Sequence, residues 1–231
     1  MRLLNFKSKR LSLLSCALLA CLPLAAHATT YSNTESSTIS SFGTQDWNNW
    51  GETFVAPGQA LQSWQFTLYT NSTSPSNVLF EVASWNGSYA LSPVLYTSAP
   101  TSVQIGLSGY QAVTFSNINL NLVQGNSYVA FMSVDGVSNP LNGSTLETSS
   151  SNAGLGGQEV FAGQSGQSVF NGNAWGNYNG TYFGTGSEQS LQFSATFGSA
   201  STASSVPAPQ SIYLALLGLS GLILVKRKRL G

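Results

Sequence analysis

The chain has 231 residues, 11% of them aromatic and only 7% charged, with eight Lys/Arg balancing eight Asp/Glu. The balance is not local: Lys and Arg lie only at Arg2, Lys7, Lys9, Arg10 and 226–229, and Cys16, Cys21 and His27 also sit near the start, so positions 29–205 carry the eight carboxylates alone. Such a body excludes Ser-His-Asp and cysteine nucleophiles, Schiff-base lysines and His-bound zinc, and with no cation to neutralise phosphate no nucleic-acid partner is expected.

Residues 1–28 have the pattern of a secretory signal peptide: a basic start, an apolar stretch from Leu11 to Leu24, then Ala26-His27-Ala28 as a small-x-small cleavage site. Cleavage is expected after Ala28, so that the mature chain begins at Thr29. A second reading places a lipoprotein site at Leu18-Leu19-Ala20-Cys21, with Cys21 acylated.

From 29 to 198 the pattern predicts one all-β domain. Apolar residues recur with a period of two, the signature of strands that bury one face. Trp64, Phe66 and Leu68 alternate with polar neighbours, Val78, Phe80 and Val82 share a face, and Val113 pairs with Phe115. Asn117 to Leu122 (NINLNL) alternates cleanly, Tyr128 to Val134 is apolar on both faces and so expected to be central, and Leu191, Phe193, Ala195 and Phe197 alternate again. Pro57-Gly58, Asn86-Gly87, Asp135-Gly136 and Asn142-Gly143 supply turns. Many short strands between turns predict a β-sandwich, in a jelly-roll-like version. The Gly-rich segment 139–186 is expected to be long loops around short strands near 159–163, 168–170 and Tyr182. Residues 199–205 (SASTASS) read as a flexible spacer.

The C-terminal segment 206–231 reads VPAPQSIYLALLGLSGLILVKRKRLG. The uncharged run 212–225 is shorter than the ~20 residues that cross a bilayer, and counting back to Val206 it reaches that length. Lys226, Arg227, Lys228 and Arg229 act as a stop-transfer cluster held on the cytoplasmic side. The expected topology is a body outside and a basic tail inside.

The motif Val206-Pro207-Ala208-Pro209, the apolar helix with Leu216-Leu217-Gly218-Leu219 and the basic end resemble, in that order, the PEP-CTERM sorting signal of Gram-negative exosortase substrates. Ala208 stands where that family has Glu. The stretch GETFVAPGQALQSWQFTLY from Gly51 also looks like the start of β-sandwich domains common among PEP-CTERM proteins. The resemblance implies export, cutting near Val206 to Pro209 by an exosortase-like enzyme, and a non-enzymatic surface or matrix role around exopolysaccharide or biofilm. A tail of this kind, like a GPI signal, need not be permanent.

Two other functions fit the residues. Aromatics beside Asn, Asp and Gln can cover a pyranose face while amides and carboxylates bind its hydroxyls. Trp47 and Trp50 (among Asp46, Asn48 and Asn49) and Trp175 and Tyr178 are the candidates for such polysaccharide binding, with plugging of the sandwich ends as the competing role. Trp64 is assigned to the core and Trp85 to hairpin packing. Carboxylates could instead work in pairs as a glycoside hydrolase or lyase, which leaves Glu52, Glu81, Glu147, Glu159 and Glu188 as acid/base candidates against a plain role as surface charge. Calcium is the metal these residue types permit, through Asp46, Asn48, Asn49 and Glu52, but no Asp-x-Asp-x-Asp-Gly loop is present. No catalytic residue, metal site or cofactor is therefore assigned.

Overall fold

A computed structural model of the chain describes residues 27–35, 37–44, 46–69, 75–103, 109–163, 169–170, 175–176 and 190–198. The N-terminal signal through Ala26, the sorting motif Val206 to Pro209, the membrane run 212–225 and the basic cluster at 226–229 lie outside the described residues, as do Tyr178, Tyr182 and Glu188. In chain order the strands are β1 Thr29–Ser32, β2 Ser37–Phe42, β3 Asn49–Val55, β4 Ala60–Tyr69, β5 Ser76–Trp85, β6 Ala90–Thr97 and β7 Thr101–Val103. There follow β8 Gln111–Asn121, β9 Ser127–Ser133, β10 Ser144–Ser149, β11 Glu159–Ala162, β12 Trp175–Gly176, β13 Ser190–Leu191 and β14 Phe193–Gly198.

Two antiparallel sheets account for all of them. The first runs β1-β14-β4-β10-β13, with β2 also on β10 and β8 also on β4. The second runs β12-β11-β3-β9-β5-β6, with β7 also on β5. Their inner faces meet through rings: Trp64 and Phe66 of the first sheet contact Phe80 of the second at 6.3 and 6.4 Å, and Phe115 stacks on Phe80 at 4.8 Å. Phe54 reaches Trp64 at 5.1 Å and Phe197 at 6.0 Å. This is the β-sandwich that the period-two pattern predicts. Each fully buried aromatic contributes about 1.5–3 kcal/mol through lost apolar exposure.

The alternation assigned to β4, β5 and β14 matches burial residue by residue. β9 is central, between β3 and β5, and apolar on both sides: Tyr128, Ala130 and Met132 belong to the main core, and Val129 and Phe131 to a second cluster with Ala83, Ala90 and Val160. The outer face of this sheet is thus itself apolar, and the partly buried Phe170 and Trp175 cover it.

Two expectations change, and one gains a detail. The NINLNL alternation holds: Asn117, Asn119 and Asn121 are exposed, Ile118 is buried, and Leu120 and Leu122 pack against the core. It carries a bulge, because Ser116 opposes Ser63 and Leu120 opposes Leu61, which leaves Asn117, Ile118 and Asn119 against Gln62. Asn117 and Asn119 take positive φ (59° and 51°), a region Asn tolerates better than most residues. Residues 169–170 form a turn rather than a strand. The segment expected to be loose contains β10, which joins β2, β4 and β13 in one sheet. Its sequence, STLETS, has no alternating large apolar pair to announce it.

Candidate functional site

The four aromatics expected to bind sugar have separate fates. Trp50 is fully buried: with Phe54 it alternates onto the inner face of β3, where it lies 5.0 Å from the Phe161 ring. It cannot serve as an exposed platform. Its polar neighbours misled because Asn48 and Asn49 are themselves buried and send their amides to Asp135. Trp47 is half-buried and leans on Phe161 at 4.5 Å, packed against the same core. Tyr178 lies outside the described residues. Trp175 alone is placed at an open surface recess.

Its partner there is Trp85. Sequence reasoning assigns Trp85 only a packing role, and the hairpin contact is real, since Trp85 pairs with Ala90 across β5 and β6. Yet it also meets Trp175 edge to face at 5.5 Å and 88°. Trp175 is fixed on further sides by an edge contact to Phe131 at 5.6 Å and by donating its indole N–H to the Val169 carbonyl. β12 holds it through Ala162 of β11. A ring with its N–H satisfied and two aromatic neighbours is pre-organised.

Two adjoining recesses flank this pair. One, of about 260 Å³, is lined by Trp85, Gly87, Gly156, Gly157, Gln158, Ser127, Thr53 and Phe54. The other, of about 250 Å³, is lined by Trp85, Gly87, Ser88, Gln158, Val160, Trp175 and Gly176. Sharing Trp85, Gly87 and Gln158, they form one open groove. Its wall is held close by Gly157, where a Cβ would stand 1.4 Å from the Thr53 carbonyl oxygen. Thr53 and Gln158 are also clamped by reciprocal hydrogen bonds of 2.9 and 3.2 Å. Each recess falls below the ~300 Å³ at which enclosed small-molecule pockets begin, so the groove suits an extended chain lying across it.

The carboxylates are arranged differently. Glu52 and Glu159 are direct cross-strand partners on β3 and β11, both 1% exposed. Ser190 donates to one Glu52 oxygen at 2.8 Å and the Leu191 amide to the other at 2.9 Å. Burial pushes the Glu52 carboxyl well above the ordinary carboxylate range; those two hydrogen bonds pull it down, and the neighbouring Glu159 adds to the rise. Neither carboxylate lines the groove. Glu81 is raised by burial and by Asp135, against a 3.1 Å hydrogen bond from Thr97, and Glu147 is raised by burial and by Glu35. The calcium set of the sequence separates too: Glu52 bonds Ser190 and Leu191, while Asn48 and Asn49 bond Asp135.

No family model matches the chain, and no curated protein does. Among solved structures, the clostridial cysteine protease Cwp84 after propeptide cleavage is similar at 15% identity and a TM-score of 0.46 over 74% of this chain. The match spans 40% of that protein's length. A likeness at that level defines neither the chemistry nor the partners of this chain.

Proposed function

We propose that this is an exported, non-enzymatic surface or matrix protein whose sandwich binds an uncharged polysaccharide along the Trp85–Trp175 groove. The observation that carries the reading is the groove itself: two pre-set indoles beside Gln158 and Ser88, open on both recesses. Flat rings cover the apolar face of a sugar, and the neighbouring amide and hydroxyl meet its hydroxyls. A body with carboxylates and no cation repels acidic glycans, which selects for neutral ones. Trp175 thus keeps the role expected of it from sequence, and Trp85 joins it there in place of Trp47 and Trp50, which pack against the core.

Delivery rests on the ends of the chain. The signal ending at Ala28, the jelly-roll-like body, the Val206-Pro207-Ala208-Pro209 motif and the basic cluster are the parts of an exosortase substrate placed near exopolysaccharide. Mass spectrometry of the mature protein is expected to find an N-terminus at Thr29 and a C-terminus near Pro209. Peptides running intact through Leu216 into Lys226 would mean a permanent anchor.

On gels containing neutral polysaccharides, the chain is expected to be retarded. Trp85→Ala and Trp175→Ala each weaken that retardation about tenfold, the effect of ~1.4 kcal/mol. Leu95→Ala, on the exposed side of β6, leaves it unchanged. Equal retardation of all three variants removes the groove from the reading, and release of reducing ends would make the protein an enzyme.

A further inference from the structure

The two indoles of the groove are set almost square to one another, and that angle bears on which glycan fits. Trp85 and Trp175 meet with ring planes at 88°. The next ring in the row, Phe131, stands at 84° to Trp175, but it is fully buried, so only the two indoles can meet a ligand. Trp85 and Gln158 line both recesses, whereas Trp175 lines only the one that also holds Val160 and Gly176. Trp85 thus stands between two seats. A sugar resting on Trp85 in the first and a sugar resting on Trp175 in the second have their ring planes at roughly a right angle.

The surrounding chain holds this crossed arrangement. Trp85 ends β5, and Asn86 closes the hairpin after it by accepting the Ser88 and Tyr89 amides on its side-chain oxygen, both at 2.9 Å. Swinging Trp175 into the plane of Trp85 gives up its hydrogen bond to the Val169 carbonyl and its edge contact on Phe131. The opposite wall cannot widen either. Gly157 lies so close to β3 that a Cβ there would stand 1.4 Å from the Thr53 carbonyl oxygen, and Thr53 and Gln158 are tied by reciprocal hydrogen bonds.

We infer, on the reading that this groove holds a neutral glycan, that it selects a turned chain over a flat one. Where sugars are joined through opposite equatorial positions, as in cellulose, successive rings lie close to one plane. Such a ribbon rests on one indole and meets the other edge on, where it finds no apolar face. Where an axial bond or a linkage between nearer ring positions bends the chain, successive rings rotate, and both indoles are covered at once. Only the face of an aromatic ring matches the apolar face of a pyranose, so the second contact is gained or lost with the linkage. Gln158, which reaches both recesses, carries donors and an acceptor for hydroxyls on either side of the bend.

The test is calorimetric titration of the purified full-length chain with glucose trisaccharides that differ only in linkage: maltotriose and laminaritriose, which bend, and cellotriose, which is flat. The better of the two bent trisaccharides is expected to bind about tenfold more tightly than cellotriose, the worth of one further ring contact. Trp175→Ala is expected to abolish that preference, and Trp175→Phe, which keeps a flat ring on the same strand, to retain most of it. Cellotriose binding as tightly as the others, or more tightly, overturns the selection of a bent chain while leaving the groove in place. A preference that survives Trp175→Ala overturns it too, because one ring then suffices. No heat from any of the three overturns the paired seats, and the glycan reading then stands or falls separately on the retardation gels.

Discussion

Trp64→Ala is expected to cost about 3–5 kcal/mol, enough to remove a large share of the stability of a domain this size. Trp64 is 0% exposed and stands where the sheets face each other. Its ring meets Phe54 at 5.1 Å and Phe66 at 5.7 Å, and stacks on Phe193 at 5.0 Å and Phe80 at 6.3 Å. Four aromatic neighbours fixed on separate strands cannot all collapse into the space, so a cavity remains and adds to the lost transfer energy. No disulfide or ion pair within the body can compensate, because it has no Cys, Lys, Arg or His. Trp64→Phe separates packing from polarity. The indole Nε1 is buried without a partner, and Phe removes that unmatched donor while keeping most of the stacking surface. Phe is therefore expected to cost less than half as much as Ala in urea unfolding. Equal losses for the two variants would mean that the N–H is bonded in solution.

How much of this was legible in the chain depends on the distance over which a pattern must be read. Trp64, Phe66 and Leu68 announce a buried face because alternation is local, and each is 0% exposed. Positions 58, 87, 136 and 143 are glycines with positive φ, as their turn dipeptides imply. Trp50 shows the limit of local reading. Its polar neighbours suggested solvent, yet those neighbours find Asp135, 86 and 87 positions away, and the tryptophan alternates inward. The groove is non-local in the same way, since Trp85 and Trp175 meet only because Ala162 hydrogen-bonds β12 into a sheet that also contains β5. The pairing of Glu52 with Glu159 is a matter of register between β3 and β11, which composition and spacing do not encode.

That pairing gives the second large expectation: the protein becomes more stable as pH falls from about 8 to about 5, the opposite of ordinary acid denaturation. Glu52, Glu81 and Glu147 all have pKa values raised above the ordinary 4.5, chiefly by burial. Between that value and the raised one the folded chain binds more protons than the unfolded chain, so stability is present in full at the acid end and lost as pH rises through the raised pKa. Glu52 dominates because it is the one buried completely, faces Glu159, and has no cation in the body to offset a charge. Glu52→Gln keeps an acceptor for the Leu191 amide, and its NH₂ can donate to Ser190 Oγ. That hydroxyl is then free to donate fully to the Leu191 carbonyl, 3.1 Å away. The variant is expected to gain on the order of 1–3 kcal/mol at pH 8, the scale of an ill-compensated buried polar group, and little at pH 5. Urea midpoints measured across that range decide it. A wild-type midpoint that is flat or falls toward pH 5, or a Glu52→Gln profile parallel to wild type, would show that Glu52 does not carry its proton into the folded state.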